Sequence, residues 1–166
     1  MERLINRVEK IPVSLGNLKK FVPNNTACIL YTDLKENLFP TGKTCVIVLL
    51  ENKDSNIGHF ILLIKRPQTV EYWSSYGNKP EYAIKKTGND DRLLRYLPRK
   101  YIFNRYKFQN QINSETCAMH TLTRAIFYEM SNEDYIKLFK YKVSLKNPDD
   151  IVTIMCLNIR HQMASE

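Results

Sequence analysis

The stretch from Gly58 to Gly77, GHFILLIKRPQTVEYWSSYG, is the part of the sequence that decides the fold. It contains two apolar runs, His59–Lys65 and Val70–Tyr76, on either side of the polar segment Arg66–Thr69. Two strand-length runs joined by a short polar turn are typical of a β-hairpin. The sequence therefore predicts a hairpin near the middle of the chain.

The register of this hairpin determines which side chains share a face of the sheet. If Lys65 pairs with Val70, the alternation of side chains along each strand directs Glu71 to one face. The opposite face then contains His59, Ile61, Ser74 and Tyr76. A slip of one residue would reverse this assignment.

The segments outside the hairpin predict an α+β fold. Thr26–Tyr31 and Tyr101–Phe108 are strand candidates, and the continuous β-branched run Thr44–Leu50 is typical of a strand buried on both faces. Helices are predicted within Met1–Lys20, at Glu81–Lys86 and Asp90–Tyr96, from Ser114 or Thr116 to Met130, at Asn132–Tyr141 and at Pro148–Arg160. Strands come mainly early and helices mainly late, so we expect helices packed on a central mixed or mostly antiparallel sheet.

Length and composition indicate one domain spanning residues 1–166. The 166 residues are 43% hydrophobic and 25% charged, which is ordinary globular usage. The apolar runs are far shorter than the roughly 18 residues that a membrane span needs. The charged start Met1-Glu2-Arg3-Leu4 is unlike a secretory signal. We therefore expect an intracellular protein.

One of the four cysteines is a candidate nucleophile. Cys117 follows the polar segment Gln111–Thr116 at the predicted start of a long helix, where the helix dipole favours the thiolate. Cys28, Cys45 and Cys156 lie in apolar runs, where a free cysteine behaves as a small hydrophobe. The wide spacing of all four favours free thiols over a zinc ribbon or a disulfide framework. A core cysteine near a helix end is the alternative interpretation of Cys117.

A cysteine nucleophile needs a base, and His59 is the best candidate among the three histidines. It follows Gly58 beside a polar loop, where a side chain can reach a cleft. His120 lies one turn after Cys117, but two potential ligands are too few to indicate a metal site. His161 lies in the polar tail. We expect neither a metal nor another cofactor.

Three motifs in sequence order resemble the adenain family of cysteine proteases. They are Gly58-His59-Phe60, Glu71-Tyr72-Trp73-Ser74-Ser75-Tyr76-Gly77 and Gln111-Ile112-Asn113-Ser114-Glu115-Thr116-Cys117. The family includes the adenovirus maturation protease, the SUMO-specific proteases and the maturation proteases of virophages and Polinton-type elements, and the last group is closest in appearance. The resemblance covers roughly Cys28 to Met130. It implies a papain-like, adenain-like single domain with the nucleophile at the N-terminus of a central helix.

The resemblance also implies a role for each motif residue. His59 would take the thiol proton of Cys117 or hold it as an ion pair, and the Cys117 thiolate would attack the scissile carbonyl. The Gln111 side chain and the Cys117 backbone N–H would form the oxyanion hole. Gln109, eight residues before Cys117, fits this role less well.

The sequence departs from the family pattern at two positions. Ser74 stands where relatives have an acidic or amide residue, so it is a possible third member that could accept a hydrogen bond without stabilising an imidazolium as a carboxylate does. Ala118 stands where most relatives have Gly, and its methyl group would crowd the backbone near the oxyanion hole.

The net charge of +8 favours anionic partners such as nucleic acid. Most of the surplus lies in Lys79–Lys107, where aromatic residues are interleaved with the cations, a pattern that can bind single-stranded nucleic acid. The candidate contacts are Lys85, Lys86, Arg92, Arg95, Arg99, Lys100 and Arg105. A solvated helical face is the alternative interpretation.

Three functional hypotheses follow. The first is a cysteine endopeptidase that cleaves viral or element-encoded capsid precursors in the virion and in the cytoplasm or nucleus of a host cell, with activation by nucleic acid or a peptide. The second keeps the mechanism but acts on a ubiquitin-like protein as a deubiquitinase or SUMO-protease-like isopeptidase. The third is a basic nucleic-acid-binding module without catalysis.

Overall fold

The computed structural model describes residues 13–52, 58–109, 116–140 and 147–163, and a mixed five-stranded sheet forms its centre. The strands are β1 (Thr26–Leu30), β2 (Cys45–Leu50), β3 (His59–Lys65), β4 (Val70–Trp73) and β5 (Ile102–Phe103). The helices are α1 (Leu15–Leu18), α2 (Pro80–Thr87), α3 (Arg92–Tyr96), α4 (Cys117–Ile126), α5 (Asn132–Lys140) and α6 (Pro148–Met163). The predicted α+β class with helices around a mixed sheet is therefore confirmed.

The sheet follows chain order from β1 to β5. β1 and β2 are parallel, β2, β3 and β4 are successively antiparallel, and β4 and β5 are parallel. The predicted hairpin is present, with Lys65 opposite Val70 and the backbone N–H of Arg66 donating to the Thr69 carbonyl. The predicted register is confirmed, and with it the side of the sheet that each hairpin residue faces.

Apolar side chains cover both faces of the sheet. Alternate residues of β3, such as Phe60 and Leu62, pack with α4 in what we call the α4-side cluster. The intervening residues Ile61 and Leu63 pack with α2 and α3 in the α2-side cluster. Trp73 is fully buried in the α4-side cluster, as expected for a core residue. The central strands are thus buried on both faces, and the ends of the strands are where a cleft can form.

Helix α4 runs in the same direction as β3. In the middle of α4, Thr121 Oγ1 lies 3.5 Å from the carbonyl oxygen of Phe60 near the start of β3. Further along, Arg124 donates to Glu71 Oε1 at 3.0 Å, and Glu71 is the cross-strand partner of Ile64. Residues further along α4 therefore contact positions further along β3. The first residues of α4 and β3 consequently lie at the same end of the sheet.

Several predicted elements are shorter than expected, and β4 ends at Trp73 rather than at Tyr76. Of the predicted strand Tyr101–Phe108 only β5 forms, because the Asn104 side chain hydrogen-bonds to the backbone N–H and carbonyl of Ser74 where ladder bonds would continue. Helix α4 ends at Ile126 rather than Met130, and the carbonyls of Phe127 and Met130 beyond its end accept from the Arg124 guanidinium. Within the predicted helix Met1–Lys20, the structure describes only residues 13–20, where α1 lies.

The Glu71–Arg124 pair gives the first prediction. Both side chains are almost fully buried, so Arg124→Met leaves a buried carboxylate that has lost one of its two cationic partners, the other being Arg66. We expect the free energy of unfolding to fall by about 3 kcal/mol or more, measured by urea denaturation. The double variant Glu71→Gln/Arg124→Met should lose less than the sum of the single losses. As a control, Arg95→Met removes an exposed pair with Asp91 and should cost less than about 1 kcal/mol. Equal losses in Arg124→Met and Arg95→Met would contradict the assignment.

Candidate active site

His59 and Ser74 meet at the end of the sheet. His59 is the first residue of β3 and is 7% exposed, and Ser74 follows the last residue of β4. His59 Nε2 lies 3.0 Å from Ser74 Oγ. The backbone N–H of Ser74 in turn donates to Asn104 Oδ1 at 2.9 Å, so the serine is held from a second segment. This arrangement orients the imidazole and leaves its Nδ1 atom without a hydrogen-bond partner among the described residues.

Tyr76 covers the imidazole on one side. Its ring is stacked on that of His59, with ring centroids 4.5 Å apart and an angle of 12° between the planes. The tight turn from Ser74 to Gly77 makes this possible, and the N–H of Gly77 donates to the Ser74 carbonyl at 2.9 Å. Gly77 has φ +67°, and a Cβ atom there would lie 2.7 Å from the Tyr106 carbonyl oxygen. The turn therefore requires glycine, and it fixes the ring that shields the His59–Ser74 contact from water.

Burial keeps the His59 imidazole neutral. Desolvation, with a smaller contribution from the nearby Lys86 ammonium, lowers the pKa of His59 from 6.5 to about 3. In the unfolded chain the imidazole would take up a proton below its ordinary pKa, so the unfolded state binds more protons between these two values. The free energy of unfolding therefore falls as the pH falls through this window. At neutral pH the His59 imidazole is therefore neutral.

Cys117 is the first residue of α4, as the sequence predicts. It is 8% exposed and belongs to the α4-side cluster. Thr116 occupies the N-cap position, and its carbonyl accepts the first helical hydrogen bond, from the His120 N–H. The backbone N–H of Cys117 belongs to the first turn of the helix, whose N–H groups have no partner within the helix. Cys117 thus stands at the positive end of the helix dipole.

The structure brings His59 together with Ser74 but does not join His59 to Cys117 by a hydrogen bond. Nε2 of the imidazole contacts Ser74, and Nδ1 has no hydrogen-bond partner in the described part of the chain. The imidazole faces the α2 side of the sheet, whereas Cys117 approaches the same end from the α4 side. The two residues therefore lie at the same end of the sheet, on opposite sides of its plane.

A buried polar network behind Cys117 was not predicted from the sequence. Asp149 Oδ1, in the first turn of α6, accepts a hydrogen bond from the Thr116 hydroxyl and lies 2.9 Å from His120 Nε2. The Thr116 side chain is therefore committed to α6 and does not cap α4, contrary to one of the two predicted caps. Desolvation lowers the pKa of His120, with Asp149 opposing the shift. The Asp149 carboxylate connects the start of α4 to the last helix.

The other three cysteines have raised pKa values. All four are free thiols. Burial raises the pKa values of Cys28, Cys45 and Cys156 to about 11. These three thiols are protonated at neutral pH and react slowly with electrophiles.

The remaining predicted site residues have different outcomes. Gln111 and Ser114 lie outside the described residues, so the oxyanion role of Gln111 stays a prediction. Gln109 is buried, and its Oε1 accepts from the Ser75 hydroxyl at 2.7 Å. Ala118 is buried in the α4-side cluster. His161 lies in α6, where only its backbone is described. In the described segments no group of three potential metal ligands occurs.

The predicted nucleic-acid contacts lie on α2, on α3 and in the segments around β5. Arg92 and Arg95 are paired with Asp90 and Asp91, which reduces the charge that they offer to a partner. The other candidates are exposed, and the residues in this group are Lys85, Lys86, Arg99, Lys100 and Arg105. Nucleic-acid binding by these residues stays a prediction.

Comparison with known proteins gives similarities in sequence and in structure. No family model matches the chain. The chain is 27% identical over 175 residues to uncharacterized protein V9 of the Sputnik virophage, an alignment that covers 90% of this chain and 96% of that protein. Among solved structures, the C-terminal protease domain of Ulp1, in complex with Smt3, the yeast orthologue of SUMO, aligns with a TM-score of 0.37 and 14% identity. That alignment covers 82% of this chain and 66% of the Ulp1 chain. Within the described residues, no helix has the length and apolar character of a membrane span.

The surroundings of His59 give a second prediction. Lys86→Met removes a positive charge that opposes protonation of the imidazole, so the pKa of His59 should rise. It should remain below 6.5, because burial is the larger cause of the shift. The measurement is the NMR titration of the imidazole from neutral pH down to the onset of acid unfolding. Lys85→Met, an equal change at the neighbouring exposed residue of α2, is the control, and an identical response of the two variants would contradict the prediction.

The Asp149 network gives a third prediction. Asp149→Ala leaves the buried Thr116 hydroxyl and His120 Nε2 without their shared acceptor, so the free energy of unfolding should fall by about 2–4 kcal/mol. Urea denaturation at neutral pH measures this loss. Asp150→Ala is the matched control, because Asp150 lies in the same first turn of α6 but is not part of the network. A loss in Asp150→Ala as large as that in Asp149→Ala would assign the effect to the helix dipole.

Proposed function

We propose that the chain is a cysteine endopeptidase with an adenain-like fold, in which Cys117 is the nucleophile and His59 the general base. One observation carries the proposal: α4 and β3 start at the same end of the sheet, with a cysteine first in one and a histidine first in the other. The Ser74 contact to Nε2 leaves the Nδ1 atom of a neutral imidazole available to accept a proton.

The first chemical step transfers the thiol proton and forms the acyl-enzyme. Nδ1 of His59 takes the proton from Cys117 Sγ, and the sulfur attacks the scissile carbonyl carbon to give a tetrahedral oxyanion. The imidazolium then donates its proton to the leaving amine as the C–N bond breaks. Substrate binding must bring the imidazole and the thiol into contact, since catalytic hydrogen bonds are often long in the free enzyme and tighten in the complex.

The second step regenerates the enzyme. His59 takes a proton from a water molecule as the water oxygen attacks the thioester carbonyl, and the C–S bond then breaks to release the carboxylic acid product. The imidazolium returns its proton to the Cys117 thiolate. In both steps the Cys117 backbone N–H, at the start of α4, would donate to the oxyanion together with the Gln111 side chain. Loss of one such donor typically costs about 100- to 1000-fold in rate.

The proposed substrate is a viral or element-encoded capsid precursor. The similarity to a virophage protein supports a viral setting, and the proposed sites of action are the virion and the cytoplasm or nucleus of the host cell. Nucleic acid bound by the exposed cations around α2 and β5 would bring the enzyme to packaged precursors. A ubiquitin-like substrate is the alternative, and Ulp1, whose protease domain is in complex with Smt3, illustrates it.

The test measures thiol reactivity and peptide cleavage together. At neutral pH we expect iodoacetamide to label Cys117 faster than Cys28, Cys45 or Cys156, whose pKa values burial raises, as read by peptide mapping. His59→Ala should slow the labelling of Cys117, because the neutral imidazole would accept the thiol proton as the sulfur is alkylated. A random peptide library read by mass spectrometry should show cleavage products with the wild type, reduced about 10⁴-fold or more in Cys117→Ala and His59→Ala.

Three further outcomes separate the alternatives. Reaction of Cys117 with a ubiquitin-like protein that carries an electrophile after its Gly-Gly tail, without cleavage of library peptides, would favour the isopeptidase. Labelling of Cys117 at an ordinary thiol rate, unchanged by His59→Ala and without cleavage, would reject the proposal. Nucleic-acid binding retained in Cys117→Ala and lost in Arg99→Ala/Lys100→Ala/Arg105→Ala would then favour the binding module.

A further inference from the structure

A cavity of about 240 Å³ opens beside His59 and Ser74. It lies between the end of the β3–β4 hairpin and helix α2, on the opposite side of the sheet from Cys117. Its lining residues come from three segments of the chain: the end of β2 with the start of β3, the turn after β4, and α2. They include His59, Ser74, Tyr76, Asn78, Tyr82 and Lys86. The cavity is therefore next to the proposed base and displaced from the proposed nucleophile.

The position of the cavity indicates which part of a substrate it would bind, the leaving segment or the acyl segment. In acyl transfer the base returns its proton to the leaving amine, so the segment that leaves must pass the imidazole. The segment that stays bound as the acyl group must lie at the sulfur atom. A cavity beside His59, on the α2 side, is placed for a side chain of the leaving segment.

The charge of the cavity points to the kind of side chain. Lys86 is its one charged residue among the described lining residues, and its Nζ lies 5.1 Å from the centroid of the Tyr76 ring. Asn78 adds an amide to the same lining. Lys85, the neighbouring residue of α2, adds positive charge nearby, whereas Glu51 and Glu81 lie next to lining residues in the sequence without lining the cavity. A carboxylate in the cavity would have an ammonium partner, and a basic side chain would meet a like charge.

We propose that this cavity is the subsite for the leaving side of the substrate and that Lys86 makes it selective for an acidic side chain. The inference rests on the proposed function, because it takes His59 as the group that protonates the leaving amine. Lys86 is exposed and lies on one face of the Tyr76 ring, while His59 lies within stacking distance of the same ring. A substrate carboxylate that pairs with Lys86 in the cavity therefore lies close to the Tyr76 ring, which covers His59.

The experiment compares matched peptides that differ at one residue. A peptide cleaved by the wild type is made with Glu, Gln or Lys at the first residue after the scissile bond, and a second set varies the next residue. We expect a preference in kcat/KM for Glu over Lys of about fivefold or more at one of these positions. Lys86→Glu should reverse the order, and Lys86→Gln should abolish it. Lys85→Glu, the same charge change on the same helix outside the cavity lining, should keep the wild-type order.

A second measurement does not depend on catalysis. Cys117→Ala protein is titrated with short peptides that begin with Glu or Lys, as mimics of the leaving product, and the His59 imidazole signals are followed by NMR. We expect tighter binding of the Glu peptide, with loss of the difference in Lys86→Gln.

Equal kcat/KM values for the matched peptides, or a preference that survives in Lys86→Glu, would overturn the inference while leaving the proposed function intact. Absence of all cleavage by the wild type would count against the proposed function, and selective binding of the Glu peptide would then identify the cavity as an acidic-peptide site without catalysis.

Discussion

The buried ion pair between Glu71 and Arg124 is the constraint on which the rest of the arrangement depends. It ties β4 to α4 on the face of the sheet opposite His59, and Arg124 also binds the Met130 carbonyl that follows the helix. A buried charge pair tolerates little displacement, because neither charge can be left without its partner in an apolar surrounding. The direction and depth of α4 are thereby set, and with them the end of the sheet at which Cys117 stands.

The imidazole at this end is held by contacts of a different kind. Ser74 supplies a neutral hydrogen-bond partner where a carboxylate would stabilise a positive charge, and Tyr76 excludes water from one side. Both features favour the neutral ring, in agreement with the lowered pKa of His59. Ser74 and Tyr76 therefore hold His59 as a neutral imidazole, whereas a carboxylate at position 74 would favour the imidazolium.

Local sequence patterns predicted the elements in which apolar side chains recur at regular spacing. The alternation in the hairpin gave the register of Lys65 with Val70, and the apolar run of β2 gave a strand buried on both faces. The contacts missed were polar and distant in sequence, such as Asn104 on the Ser74 backbone, because a single amide in a loop carries no periodic signal. The alternating residues after Tyr101 predicted a long strand. The strand stops early because the Asn104 side chain binds the Ser74 backbone groups that would otherwise continue the ladder of hydrogen bonds. The sequence indicates the role of Asp149 only through its position in the first turn of a helix. An acidic residue at that position is ordinarily explained by the helix dipole.

The Asp149 network also has a consequence for the order of events during synthesis. The carboxylate that anchors Thr116 and His120 comes from α6, so the start of the α4 helix lacks this anchor until residue 149 has left the ribosome. A nascent chain can place β1 to β5 and α4 before that moment, but the segment at Cys117 is still without its final support. The segment at Cys117 thus acquires its final support from a helix that follows it in the chain.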